Sequence, residues 1–221
     1  CYSLLLTHVK APRKHPVHCT GNLGHLAVVY IMCCFGAAFP ATFPATMNAS
    51  GESHLSRHLA AQMQAATSEG RSGVLLEFLG QRGKIFHYEE VTQLEHALQC
   101  AALAEEANAS HTLITCALLH DIGHLLLDEE DDQQGVTGRD FCHEEMGADF
   151  LAMFFPAAVT DPIRLHVPAK RYLCTVNSGY YDTLSEASRQ SLDIQGGKMS
   201  RQEKARFETH PELNDALRLR T

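Results

Sequence analysis

Leu118-Leu119-His120-Asp121-Ile122-Gly123-His124 is the stretch on which the fold of this chain turns. A histidine followed directly by an aspartate, at the end of an apolar helical run, sets a neutral nitrogen donor beside a carboxylate that can bridge two metal ions. Adjacent helical residues point about 100° apart, so both reach one cluster only from the edge of the buried face. His124 follows His120 by four residues and Asp121 by three, and returns to the same side. Leu113 and Ala117 continue that face backwards. Two readings of the stretch stand side by side. One is a core helix whose last turn becomes a ligand surface. The other is a capped helix end, where Asp, His and Gly are common.

Composition narrows the setting. The chain has 221 residues, 45% hydrophobic and 20% charged, enough for one large domain with a core that needs no staples. Helix formers dominate from about Ser53 onward and β-branched runs are scarce, which predicts an all-α domain. The formal net charge of −8 argues against nucleic acid as a partner, while local cations remain available for a small anion. Four of the eight cysteines, Cys1, Cys19, Cys33 and Cys34, lie near the start, and Cys100, Cys116, Cys142 and Cys174 are scattered singly. With no Cys-x-x-Cys pair, they read as reduced thiols used as small apolar residues, which favours a cytoplasmic setting.

Residues 1–46 differ from the rest. They hold Lys10, Arg13 and Lys14, an apolar run from Leu26 to Phe39, and two Pro-Ala-Thr triplets. This pattern fits a targeting segment, or equally an upstream translation artefact with Met47 as the true start. The run is shorter than the ~20 residues that span a bilayer, so no stable membrane partner is expected. Residues 1–46 are therefore expected to be a disordered extension, and 47–221 the domain.

Within the domain, the pattern predicts helices over Leu55–Thr67, Val74–Leu79, Glu89–Ala107, His111–Leu126 and Asp140–Phe155, with a loop at Gly80–Gly83. A further helix starts at Thr160 and Pro162 and ends near Val167-Pro168, because the residue before proline is pushed out of the helical region. Ser200-Arg201-Gln202-Glu203 reads as a capping box, and Pro211 fits the first turn of a last helix running to Thr221. Asp128–Asp132 is a block of five acids, read as a solvated loop.

Four histidines, His96, His120, His143 and His166, stand on four separate predicted helices, on or beside apolar faces. Buried imidazoles need partners for both ring nitrogens, and a metal supplies them compactly. Two His plus one carboxylate per ion, sharing Asp121, suits iron or manganese. More than four ligands points to two ions.

The motifs then line up in order. They are Gln93–Gln99 with His96, Ala117–His124, His143–Ala148, Arg164–Leu173 with His166 and Lys170, Leu184–Ser188, and Leu192–Met199. Together they resemble the HD-domain superfamily, and within it the PhnZ/TmpB-type mixed-valence di-iron phosphonate oxygenases, relatives of myo-inositol oxygenase. The resemblance covers about residues 74–221. It implies an HD-domain helical bundle and two iron ions, Fe(II)/Fe(III), with dioxygen as co-substrate. One iron would take His96, His120 and bridging Asp121; the other Asp121, His143 and His166. A further family ligand, an aspartate after Arg-Leu-Arg on the last helix, falls just past Arg218-Leu219-Arg220-Thr221; Asp215 precedes its position. Lys170 and Arg220 would hold the phosphonate, with His124 and Ser188 as hydrogen-bond partners and His124 and Lys170 closest to the chemistry. Glu89 would meet a substrate amino group. The family's tyrosine, three residues before that Glu, is replaced by Phe86, and Tyr88 stands two residues further on.

The resemblance thus implies cleavage of the carbon–phosphorus bond of a small anionic 1-hydroxyphosphonate, such as 2-amino-1-hydroxyethylphosphonate to glycine and phosphate. The alternatives are an HD-type metal-dependent phosphohydrolase and a non-catalytic or truncated paralogue.

Overall fold

The computed structural model describes residues 30, 31, 33, 34, 53–84, 91–127 and 142–221, and every regular element among them is helical. The helices are α1 (His54–Ala65), α2 (Ser68–Arg82), α3 (Gln93–Glu106), α4 (His111–Leu119), α5 (Ile122–Leu125) and α6 (His143–Leu151). They continue as α7 (Ala157–Arg164), α8 (His166–Val176), α9 (Ser178–Thr183), α10 (Glu186–Ile194), α11 (Arg201–Phe207) and α12 (Leu213–Arg218). The all-α expectation holds. None of these helices is long and apolar enough to cross a membrane.

Side-chain caps set most of the starts. Ser53, Thr67, Thr92, Ser110, Asn177, Ser185 and Ser200 each accept a backbone N–H of the first turn, satisfying donors the helix itself leaves orphaned. The predicted capping box at Ser200 and Glu203 is present, and a second joins Thr92 to Glu95. That second box starts α3 at Gln93, later than Glu89. Thr67 starts α2 earlier than Val74, and the helix runs through Gly80 to Arg82 where a loop was expected.

The core is built on α4. All seven residues from Leu113 to Leu119 are buried, so α4 is covered around its circumference and lies at the centre of the bundle. It packs against α3 on one side and α7 on the other, while α6 contacts both α5 and α7, and α12 contacts α7 and α8. Ile31 and Cys34 are buried in the same core, and the Tyr30 hydroxyl donates to Glu105 at 2.5 Å. The boundary expected at residue 46 and the acidic block Asp128–Asp132 lie outside the described residues.

Two breaks differ from the periodicity, and each positions the site. The predicted helix His111–Leu126 divides into α4 and α5 at His120-Asp121. The helix expected to stop near Val167-Pro168 ends instead at Arg164, and α8 begins at His166 with Pro168 in its first turn, where a missing N–H costs nothing. Pro162 sits inside α7, which begins at Ala157. It leaves the Ala158 carbonyl without its helical N–H, and the Cys116 thiol faces that oxygen at 3.8 Å and the Val159 carbonyl at 3.3 Å. The last helix starts at Leu213, after Pro211, and ends at Arg218.

Candidate metal centre

Two of the helix breaks deliver a histidine in the same way. At the end of α4 the His120 Nδ1 lies 2.9 Å from the Ala117 carbonyl; between α7 and α8 the His166 Nδ1 lies 2.7 Å from the Ile163 carbonyl. A carbonyl only accepts, so both Nδ1 atoms carry the proton and donate. Each bond satisfies a terminal helix carbonyl and fixes the ring, so that Nε2 is the atom presented to a ligand position. Both rings are buried.

The Nε2 atoms converge on Asp121. Its Oδ2 lies 3.1 Å from His120 Nε2 and 3.5 Å from His96 Nε2, while its Oδ1 lies 3.4 Å from His143 Nε2 and 3.5 Å from His166 Nε2. One carboxylate oxygen faces each pair of imidazoles. The Nε2 atoms of His143 and His166 are 3.1 Å apart. Two nitrogens bound at about 2.1 Å and near a right angle on one ion stand about 3 Å apart, so this pair is already spaced as ligands.

Electrostatics fit that use at Asp121 and His166, whereas at His120 burial is outweighed by Asp121, which raises the imidazole, and the ring gives up a proton when a metal binds. Burial alone pushes the Asp121 carboxyl up, but His120 and hydrogen bonds from its neighbours outweigh it and hold the group well below the usual carboxylate range. Asp121 is therefore an anion in an apolar interior. Burial, and then the neighbouring His143, push His166 well below the ordinary imidazole value, which keeps it neutral as a ligand must be. Two groups meet ligand spacing: His96 with Cys100 and His120, and Asp121 with His124 and His143. A buried carboxylate ringed by imidazoles with oriented lone pairs fits a metal centre.

Gly123 and Gly147 make the assembly possible. A Cβ at Gly123 would stand 2.0 Å from the His143 carbonyl oxygen, and one at Gly147 3.1 Å from the Gly123 nitrogen. Glycine at both positions lets α5 and α6 touch backbone to backbone, which carries His143 up to Asp121. The ring of His124 stacks on that of His143, centroids 3.9 Å apart and planes 20° apart.

Two cations lie near the cluster, each attracted by the Asp121 carboxylate. Lys170, one turn past His166, is buried and donates to the Ser191 hydroxyl at 2.8 Å. Burial first, and then Arg220, push its ammonium down to about 7. Arg220 Nε donates to the Tyr180 hydroxyl at 3.3 Å. The Ser188 hydroxyl is 3.1 Å from that of Ser185 at the start of α10. Glu89, Phe86 and Tyr88 lie outside the described residues.

The five metal candidates, His96, His120, Asp121, His143 and His166, are thus brought together, with His124 against them and Lys170 and Arg220 alongside. Sequence reasoning missed Cys100, Ser191, Tyr180 and the two orienting carbonyls. Cys100 follows His96 by four and Ser191 follows Ser188 by three, spacings that place each on the face of its partner. The carbonyls have no sequence signature.

A helical bundle centred on a His-Asp pair, with further histidines delivered by neighbouring helices, defines an HD-domain protein whose clustered side chains fit a metal site. The HD-domain family model matches residues 94–170, from just before His96 through Lys170. The chain is 53% identical over 146 residues to the hydroxymethylphosphonate dioxygenase of Gimesia maris, covering 66% of this chain and 73% of that protein. It is 43% identical over 160 residues to the [1-hydroxy-2-(trimethylamino)ethyl]phosphonate dioxygenase (glycine-betaine-forming) of Leisingera caerulea, covering 67% and 78%. The chain belongs to the HD-domain superfamily, in the group that holds these phosphonate dioxygenases.

Proposed function

We propose that the chain is an iron-dependent oxygenase that cleaves the carbon–phosphorus bond of a small 1-hydroxyphosphonate, releasing phosphate and a carboxylic acid. The observation that carries this reading is the division of Asp121, one oxygen toward His96 and His120 and the other toward His143 and His166. That arrangement offers each of two ions two imidazoles and a shared carboxylate, a donor set suited to iron. An Fe(II)/Fe(III) pair, when bound, supplies the activation of dioxygen needed to take the hydrogen from the substrate carbon. The names of both relatives describe substrates with a hydroxyl on the carbon that bears phosphorus.

The chain's own residues supply binding and order. Lys170, one turn beyond His166, and Arg220 offer the phosphonate a compact ammonium and a planar guanidinium. Ser191 holds Lys170 in place, and Ser188 is a further hydroxyl on the same helix. His124 lies beside His143 and is a hydrogen-bond partner for the anion. Glu89 answers an amino group on substrates that carry one. The balance closes with dioxygen alone: hydroxymethylphosphonate plus O2 yields formic acid and phosphoric acid, and longer homologues yield the corresponding acid.

The test is anaerobic iron loading, then addition of air-saturated buffer with hydroxymethylphosphonate, 2-amino-1-hydroxyethylphosphonate or its trimethylamino analogue, measuring phosphate and oxygen uptake together. Equimolar phosphate and oxygen consumption is expected with at least one of the three. Phosphate ester hydrolysis that proceeds equally without oxygen would make the chain a phosphohydrolase instead. Iron-loaded protein inert toward all three would remove the oxygenase reading.

A further inference from the structure

Glu144 is a buried carboxylate in the first turn of α6, next to His143. Its Oε2 lies 3.5 Å from His143 Nδ1, while Nε2 of the same ring lies 3.4 Å from Asp121 Oδ1. The imidazole thus stands between two carboxylates, one at each nitrogen. Glu145, the next residue, carries the same charge and is exposed. A carboxylate taken out of water is costly unless donors face it. Lys170 also lies near enough for its ammonium to be drawn by the Glu144 charge.

The helix path explains why a side chain is needed here. Behind His120 and behind His166 runs a turn of helix, and each Nδ1 meets a carbonyl three residues back, at 2.9 and 2.7 Å. Behind His143 the chain enters α6 through Cys142 in the left-handed region, at φ 48° and ψ 48°. A left-handed residue breaks the helical path, so no helix carbonyl stands three residues back from this ring. We propose that Glu144 is the positioning residue of His143: its carboxylate accepts the Nδ1–H and fixes the ring with Nε2 toward the ion shared with His166 and Asp121. This rests on the metal-centre reading above and goes beyond it. At 3.5 Å the contact is longer than a formed N–H···O bond, and a shift of about 0.5 Å closes it. A charged acceptor makes the imidazole a stronger donor to metal than a neutral carbonyl does, so His143 is the stronger ligand of its pair with His166.

The test is calorimetric titration of the metal-free full chain with Co(II), for wild type and variants. Glu144→Ala is expected to weaken one equivalent by about 10- to 100-fold and spare the other. The weakened equivalent should be the one that survives His96→Ala. Glu144→Gln, which keeps an acceptor oxygen, should recover most of the loss, and Glu145→Ala should bind as wild type. A second readout needs no variant to fold. Proton–nitrogen NMR of the Zn(II)-loaded wild-type chain should place the His143 Nδ1–H further downfield than those of His120 and His166, which donate to carbonyls. A His143 signal no further downfield than those two, or wild-type affinity in Glu144→Ala, would overturn the role of Glu144 and leave the centre standing. Equal weakening of both equivalents would overturn it too, since Glu144 would then support the bundle as a whole. Wild type that binds no Co(II) would overturn the centre itself.

Discussion

Gly123 lies so close to His143 that a Cβ at position 123 would stand 2.0 Å from the His143 carbonyl oxygen. Both partners are backbone, so neither can swing away, and α5 would have to part from α6. Gly123→Ala is expected to cost about 1–3 kcal/mol in urea unfolding, the range for overpacking a tight interior. It should also weaken metal binding, since α5 follows Asp121 directly and α6 starts at His143. Wild-type metal affinity in a folded Gly123→Ala protein would show that this contact does not set the centre.

Asp121 links the two imidazole pairs, so its removal should affect both ions. Asp121→Asn keeps the shape and loses the anion. Both equivalents are expected to weaken by at least ~100-fold, beyond the loss seen when a merely supporting group is removed. His96→Ala should weaken one equivalent and spare the other. Isothermal titration with Fe(II) or Co(II) separates the two patterns, and one intact equivalent in Asp121→Asn would disprove the bridge.

The centre was legible because its donors are chemically conspicuous: a His-Asp pair and three more histidines on apolar faces of other helices. Fold class followed from helix formers and from caps such as Ser110 and Ser200. What the sequence hid was the breaking of helices. Nothing in Leu118–His124 states that α4 ends at His120, because the bond that ends it runs from the His120 ring to a carbonyl. Pro168 looked like a terminator and is a first-turn residue, since α8 begins two residues earlier.

The Thr92 cap ties local stability to the centre. Its hydroxyl accepts the Glu95 N–H, and the Glu95 carboxylate accepts the Thr92 N–H, immediately before His96. Thr92→Ala is expected to cost about 1 kcal/mol of stability. The frayed turn should loosen the ion at His96 more than the one at His143 and His166. Unfolding midpoints together with stepwise metal titration test this; equal loss at both positions would mean the cap supports the bundle as a whole.

Lys170 gives the protein a pH dependence of definite sign. Burial and Arg220 lower its ammonium from 10.5 to about 7 in the folded chain. Between those values the unfolded chain binds the extra proton, so stability of the metal-free protein rises with pH across the window from about 7 to 10.5 as far as this group decides it. Lys170→Met, which cannot charge, should be more stable than wild type near pH 7, with the difference shrinking toward pH 10. A phosphonate reverses the preference, because it favours the ammonium. Binding then takes up a proton above pH 7, and wild-type affinity should fall by up to about tenfold per pH unit there. Bound cations push the ammonium in the same direction as Arg220, so in the loaded protein the fall begins at lower pH. Lys170→Met should bind the phosphonate weakly at every pH and lack this limb. Phosphonate affinities of wild type and variant from pH 6 to 9 decide it, and a limb that survives in the variant would assign the titration to another group.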